Sequence, residues 1–501
     1  MVGGVPLTAA YPTRNDLTAR QAHVALCVIL LLGALARAAV TLATPMGVNG
    51  FSDDNAYLNS AAVFLKTGYV TYAAPDTQSG VLGVGMPLLL GLMLRVFGYT
   101  QAGLLWSHIA FSFIGLVAAY GTYLLGTFLH SRRAGVVAAL LTALSASMIA
   151  TNSMFYTETP YLCLNLYALY FALRCATRWR FRHYLGAVAC VCGAATFKGL
   201  ALLAPLCVLP LIVARKIPLR RWLPKAALAC AILAVVFLPW CVRNQQVVGE
   251  FTPFPVSQGD QKLLGTYVGL GAPSGSYNDD VAALDAAAWR DAYQTDVYRR
   301  IAERGALADQ RIRQWFQTDP LGLIATHAII KPATLIGMVF YPCKVFGIPE
   351  RAVQPLWWAC LALAAWGLFG ARPRGQARRP GYGIPALYLL FGVLLTAIYV
   401  PLARYNAPHV PFVMLYAGIA LSDGWARLAG ARAKRGAVAD DGAAADDGAV
   451  ADDGAAAENG AVTRDGAAGA SIANACVGAS VEQNAMMAEH TNPAGCANTD
   501  A

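Results

Sequence analysis

Charge is what this chain has least of. Only 13% of its 501 residues are Asp, Glu, Lys or Arg, and the mean hydropathy is +0.48. That scarcity excludes a soluble domain of this length, which needs a charged surface to stay in water. Strict alternation of apolar and polar residues is also missing. The apolar runs are continuous, which excludes a transmembrane barrel. Cysteine is present 12 times but without a CxxC or zinc-like spacing. Most of these cysteines, such as Cys190, Cys192 and Cys207, sit inside apolar runs and behave as small hydrophobes. Neither disulfides nor a cysteine-built metal centre is expected. What remains is a set of apolar runs near the roughly 20 residues that carry a helix across a bilayer. The expected class is an all-α polytopic membrane protein.

The net charge of +10 conceals two unlike parts. Residues 436–501 hold 8 Asp and 3 Glu against a single Arg. They begin as hexapeptide repeats of the GAVADD type, rich in Ala and Gly and nearly without aromatics. Such a segment cannot bury a core, and a disordered tail is expected. The rest of the chain is strongly basic, and its excess lies in short loops. That pattern orients a membrane protein by the positive-inside rule and gives no reason to expect nucleic-acid binding.

Taken in order, residues 1–21 read as a cytoplasmic N-terminus and 22–44 as an uncleaved first span. A long outer loop, 45–100, ends in the short apolar segment opened by Gly85-Met86-Pro87. Runs 102–129, 134–151 and 159–175 cross in turn. Residues 185–214 begin and end beside basic loops, so they read as a hairpin with Phe197-Lys198-Gly199 at its outer tip. Run 226–242 closes the first membrane domain, 22–242. An outer-face loop domain, 243–327, follows. It is helical from roughly Asp279 to Phe316, with a packing stripe at Leu284, Trp289, Tyr293, Val297 and Ile301. Residues 328–428 form the C-terminal membrane helices, within which 328–346 reads as interfacial or distorted. Residues 429–501 are a basic stretch and the acidic tail, placed in the cytoplasm. Loop charges give about 10 spans (10–12) with both termini inside.

Topology gathers charge at one membrane level. The acids are Asp53, Asp54 and Glu158, and the bases are Arg37, Lys66, Lys198, Arg243 and Arg404. Charges at such depth are costly unless they are paired or functional. Cations there suit a lipid phosphate, and a carboxylate suits removal of a proton from a hydroxyl. Each has a plainer reading. Arg37 and Lys66 can snorkel, Lys198 can fix a hairpin tip, and Arg243 can flank a span end. One aspartate of the pair can cap a helix beginning near Asn55.

Four stretches together resemble the GT-C superfamily of polyprenyl-phosphate-sugar-dependent glycosyltransferases, family 39 type. That group includes aminoarabinose transferases and protein O-mannosyltransferases. The stretches are Asp53-Asp54-Asn55-Ala56-Tyr57; Gly85-Met86-Pro87; Pro239-Trp240 with Arg243-Asn244, Gly249 and Phe251; and Arg404-Tyr405 with Pro408 and Pro411. The pair departs from the family's Asp-Glu at Asp54, and Val84 stands where the family has a proline. The resemblance covers residues 22–426 and implies a GT-C-like helical bundle with an outer-face domain. It implies inverting transfer of a sugar from a polyprenyl-phosphate donor, undecaprenyl phosphate in a bacterium, to a hydroxyl of a lipid, glycan or protein. The reaction would lie on the periplasmic face of the inner membrane. By the same resemblance Asp53 is the general base. Asp54 and Glu158 orient the acceptor or help hold a divalent metal, magnesium or manganese. Arg37, Tyr57, Lys198, Arg243, Asn244, Arg404 and Tyr405 bind substrate and phosphate. The competing reading is a transporter or lipid flippase, which would place polar residues near the midplane of repeated halves; no such repeat of the spans is visible. A third is a scaffold that has lost its activity.

Overall fold

The structure, a computed structural model, describes residues 16–44, 53–71, 78–256, 258–291, 296–371 and 381–443. Side chains of 203 and of 430–443 are not described. Among the described residues every regular element is helical. The class is therefore that of an all-α polytopic membrane protein.

The first half contains α1 (Ala19–Ala43), α2 (Asp53–Thr67), α3 (Gly85–Phe97), α4 (Gln101–Leu129), α5 (Arg132–Leu144), α6 (Ala146–Asn152), α7 (Glu158–Arg178) and α8 (Phe181–Ala195). Short helices α9 (Leu203–Leu206) and α10 (Leu209–Ala214) lead to the long α11 (Leu219–Val248). Then come α12 (Gly259–Leu264), α13 (Tyr277–Arg290), α14 (Val297–Thr318), α15 (Pro320–Ala325), α16 (Lys331–Gly337), α17 (Glu350–Ala365), α18 (Ile384–Thr396) and α19 (Val410–Ala443).

Helix starts follow capping chemistry. Thr18 forms a reciprocal capping box with Gln21 at α1, and the hydroxyls of Thr100, Ser131 and Ser145 cap α4, α5 and α6. The Ser145 cap interrupts run 134–151, so α5 and α6 meet at a 57° bend. Five helical stretches are long and apolar enough to cross a membrane, or six if the bent pair is one span. These are α1, α4, α11, Pro320–Gly337 and Glu350–Gly370. The expectation of about ten rested on loop charge as well; α3, α18 and the segment Gly199–Ala214 are shorter apolar helices.

The main core joins α4, α5, α7, α17, α18 and α19 through residues such as Leu125, Leu162, Leu166, Leu169, Trp357, Phe412 and Leu415. A second core fixes the acidic stretch. Tyr57, Leu58 and Ala61 of α2 pack on Met86, Leu90 and Leu94 of α3, and on Phe111 and Phe155. Outward-facing Val24, Leu31, Leu35, Leu42, Leu92, Val235 and Leu238 leave an apolar perimeter suited to lipid.

Several local expectations are corrected. The helix at the acid pair is described from Asp53, two residues before Asn55 and close to where it was expected. Run 328–346 ends its helix at Gly337, and that helix starts back at Pro320, passing through a π-turn at Thr326–Ile330. Together the pieces reach spanning length. The packing stripe of the loop domain is not the one expected. Trp289 is exposed, and Val281 and Ala308 pack on Leu263 instead. The reason is that α13 ends at Arg290 and Asp296 caps a new helix, so spacing by four does not run through. Tyr293 lies outside the described residues. The acidic tail from 444 onward also lies outside them, while α19 extends to Ala443, past Gly436, where the disordered tail was expected to begin.

Candidate functional site

The site is built on Glu158, the first residue of α7, whose side chain is wholly buried. Its Oε1 accepts from Lys198 Nζ at 2.7 Å and from Arg404 Nε at 2.7 Å. Its Oε2 accepts from Thr157 Oγ1 at 3.2 Å. A buried carboxylate with two cations on one oxygen is fully compensated, which is the condition for keeping it charged out of water. Burial alone would raise its pKa. The charges of Arg404 and Lys198 outweigh that and hold the carboxyl below the usual range.

Arg404 is the hub. Besides Glu158, its Nη1 pairs with Asp53 Oδ2, and its Nη2 donates to the Tyr57 hydroxyl at 3.5 Å. Its guanidinium lies over the ring of Tyr156, 4.6 Å from the centroid. Burial works against its charge, but Glu158 and Asp53 raise its pKa well above the ordinary arginine value. Arg404 remains 21% exposed, Lys198 26% and Asp53 34%, so this face opens outward. Lys198 Nζ sits 5.7 Å from the ring centroid of Tyr405. Burial, then Asp53, raises the pKa of Tyr57, and burial pushes Tyr405 up to about 12, so both keep their phenolic protons.

Each side chain is placed by a specific local device. α8 ends at Ala195, and Lys198 follows in a tight turn before the 3-10 turn Gly199–Leu202. The Gly85 N–H donates to Thr196 O at 3.1 Å. A Cβ on Gly85 would meet Thr196 Oγ1 at 2.6 Å and Phe197 at 2.9 Å. The glycine of the Gly85-Met86-Pro87 stretch thus lets α3 close onto the turn that presents Lys198. Arg404 rides on the 3-10 turn Ala403–His409, anchored by Asn406 Nδ2, which donates to Met338 O at 2.5 Å. Upstream, the Val400 N–H donates to Gln261 O.

Asp53, Tyr57, Glu158, Lys198, Arg404 and Tyr405 therefore come together from distant stretches of sequence. Four other candidates are placed differently. Asp54 is buried, accepts from the Asn55 N–H at 2.9 Å and lies within electrostatic reach of His108. Arg243 donates to Val70 O at 3.3 Å and to Asn244 Oδ1 at 3.0 Å, and stacks on Trp240 at 4.6 Å. Asn244 donates to Thr252 O at 2.8 Å. This pair ties the segment after α2 and the segment after α11 to one helix end.

Arg37 does not snorkel. It is completely buried, donating to Ala143 O at 2.7 Å, Gly33 O at 3.1 Å and Asn152 Oδ1 at 3.1–3.2 Å. Asn152 in turn donates to Thr159 Oγ1, one residue past Glu158. Lys66 is exposed in the last turn of α2. Tyr156 and Thr157 had not been singled out for the site. Their signal was adjacency, since they directly precede Glu158.

A divalent ion held by Asp54 and Glu158 does not fit this arrangement, because both cations sit on Glu158 Oε1. Arg404 joins Asp53 to Glu158, and Asp54 turns to its own helix start. Among the described residues no three His, Cys, Asp or Glu side chains converge as a metal site would require.

Residues 83–242 match the family model described as dolichyl-phosphate-mannose-protein mannosyltransferase. The matched stretch includes Glu158 and Lys198, while Asp53 and Arg404 lie outside it. Comparison with curated proteins gives no match. Among solved structures, the oligosaccharyltransferase AglB from Archaeoglobus fulgidus, in complex with an inhibitory peptide and a dolichol-phosphate, is similar at 15% identity and a TM-score of 0.48. The similarity covers 82% of this chain and 52% of that one, so the chain spans about half the length of AglB. ArnT from Cupriavidus metallidurans in the apo state is similar at 15% identity and a TM-score of 0.36, over 80% of this chain and 78% of that one. The family likeness thus covers residues 83–242, about a third of the chain, and the likeness to the solved structures is one of fold.

Proposed function

We propose that the chain is a glycosyltransferase that moves a sugar from a polyprenyl-phosphate donor to a hydroxyl acceptor, with inversion, at the periplasmic face of a bacterial inner membrane. The observation that carries this reading is the convergence of Asp53, Glu158, Lys198 and Arg404 on one partly open face rimmed by Tyr57, Tyr156 and Tyr405. Solved relatives point the same way in what they bind: an ArnT structure holds undecaprenyl phosphate and the AglB structure a dolichol-phosphate.

In this reading Lys198 and Arg404 neutralise the phosphate, and Glu158 holds the two cations at a fixed spacing. The Arg404 fork suits a phosphate's paired oxygens. Asp53 accepts the proton of the acceptor hydroxyl. The acceptor oxygen forms a bond to the anomeric carbon as the bond from that carbon to the phosphate oxygen breaks. The electron pair leaves with the phosphate, whose second negative charge meets cations already oriented. The tyrosine rings offer faces against which a sugar can pack. Arg243 and Asn244 hold the surrounding segments, and Arg37 supports the start of α7 through Asn152 and Thr159.

The test uses the purified full chain in sealed proteoliposomes, a radiolabelled polyprenyl-phosphate sugar and extracted envelope lipids and glycans as acceptors. Release of free polyprenyl phosphate together with labelled acceptor is expected. Movement of the intact donor across the bilayer without bond cleavage would replace this reading with a flippase.

A further inference from the structure

The ion pair between Asp53 and Arg404 creates a conflict at the proposed site. Arg404 is the hub expected to hold the donor's phosphate, yet its Nη1 is engaged by the carboxylate expected to act as base. While Asp53 Oδ2 is held by the guanidinium, that oxygen is not open to an acceptor's proton. Arg404 cannot present its full fork to a phosphate while Asp53 fills one arm. Its Nε arm is fixed on Glu158, and its Nη2 reaches Tyr57 only at 3.5 Å. The arm facing Asp53 is thus the exchangeable one. Exposure agrees: Asp53 is 34% exposed, whereas Glu158 is wholly buried and has no room to leave.

Charge balance makes the exchange workable. The four groups, Asp53, Glu158, Lys198 and Arg404, hold two negative and two positive charges. A phosphodiester carrying one negative charge can replace Asp53 on Arg404 one for one, without leaving a buried cation unpaired or adding an anion to it. We propose that the Asp53–Arg404 pair is a latch opened by the donor: an anionic phosphate displaces Asp53 from Arg404 and thereby releases the carboxylate as base. The inference rests on the function proposed above and adds a competition to it. Full release of the Asp53 carboxylate for an acceptor then depends on donor arrival.

The cycle closes by the same exchange. After transfer Asp53 carries the acceptor's proton and the phosphate carries two negative charges. When Asp53 loses that proton to solvent it again competes for Arg404 and helps expel the lipid phosphate. The shared chemistry is a phosphate oxyanion. A polyprenyl monophosphate and free inorganic phosphate are its two possible sources, and the neutral polyprenol separates phosphate recognition from lipid recognition.

The experiment measures equilibrium binding of polyprenyl monophosphate, inorganic phosphate and neutral polyprenol to the full chain in nanodiscs. It compares wild type with Asp53→Asn, Asp53→Ser and Tyr57→Phe, each checked for an unchanged melting midpoint. Wild type should prefer polyprenyl monophosphate to polyprenol. Removing the competing carboxylate in either Asp53 variant should tighten monophosphate binding about 3- to 10-fold, the scale of one partly exposed ion pair. Tyr57→Phe, which removes an uncharged contact of Arg404, should not tighten it. Tightening for inorganic phosphate as well supports competition at the oxyanion itself. If wild type binds the monophosphate but both Asp53 variants bind it equally or more weakly, Asp53 merely orients Arg404 and the latch is overturned while the proposed function stands. If wild type shows no preference for phosphate over polyprenol, the functional reading fails and the latch with it.

Discussion

Arg37 and Arg404 are both arginines set against apolar segments, and the structure treats them in opposite ways. Arg37 is sealed. Its partners are two backbone carbonyls and an asparagine oxygen, none of them charged. Two of those acceptors, Ala143 O and Asn152 Oδ1, lie on the two helices that meet at the 57° bend, and Gly115 leaves the space that Asn152 fills. Arg404 faces two carboxylates, a phenol and an aromatic face, and stays 21% exposed. The first arrangement satisfies donors that would otherwise be stranded and fixes a helix bend. The second holds charge in a form that a ligand can compete for. Partner chemistry and access separate these two arginines.

The strongest way to break this comparison is to remove the anion beneath the hub. Glu158→Gln keeps the shape but leaves Lys198 and Arg404 without their common counter-charge. Turnover should fall about 100- to 1,000-fold, a few kcal/mol of transition-state stabilisation. A change under tenfold would mean that Glu158 is not what aligns the cations. The same variant has a pH signature. The folded chain holds the Glu158 proton less tightly than the unfolded chain, because Arg404 and Lys198 outweigh burial. A carboxyl depressed in this way contributes stability that is fully present above its unfolded pKa, about 4.3, and is lost as pH falls below it toward the lowered folded value. Melting midpoints below about pH 4 should therefore fall more steeply in wild type than in Glu158→Gln.

Arg404→Lys comes next. Lysine keeps the charge but cannot reach Asp53, Glu158 and Tyr57 at once with a planar fork. Turnover should drop about 10- to 100-fold, with the melting midpoint little changed. An unchanged rate would show that only a point charge is needed there.

Arg37→Met should show the reverse pattern. The variant strands the Asn152 and Ala143 oxygens in a dry interior, at a cost of about 3 kcal/mol. The melting midpoint should fall, while turnover per folded molecule changes less than threefold. Full stability with lost turnover would move Arg37 into the catalytic group and erase the contrast with Arg404.

The sequence already carried many residues of the candidate site, because charge is rare in this chain and each charged residue near an apolar run stands out. Asp53, Glu158, Lys198 and Arg404 were legible for that reason. Their pairing was not, since it depends on how stretches 40 to 351 residues apart meet. Arg37 looked like Arg404 because its partner Asn152 lies 115 residues away and is uncharged. The membrane class was equally plain from the long apolar runs. Helix breaks were not, because Ser145 and Asp296 end continuous patterns by capping, a local choice that periodicity does not register. The stripe through Trp289 was lost in that way.

The smallest expected effect falls on Lys66. It shares α2 with Asp53 and was grouped with the outer cations, but it lies in the last turn, exposed, where a positive charge mainly complements the helix C-terminus. Lys66→Ala should change stability by less than about 0.5 kcal/mol and leave transfer rate unchanged within twofold. The variant sharpens the comparison because it removes a cation from the helix that carries Asp53 without touching the Arg404 cluster. If it cost tenfold in rate, general positive potential at this end of the molecule would matter more than the specific pairing of Arg404 and Lys198 on Glu158. An unchanged rate would tie the chemistry to those two cations and to the single buried carboxylate that spaces them.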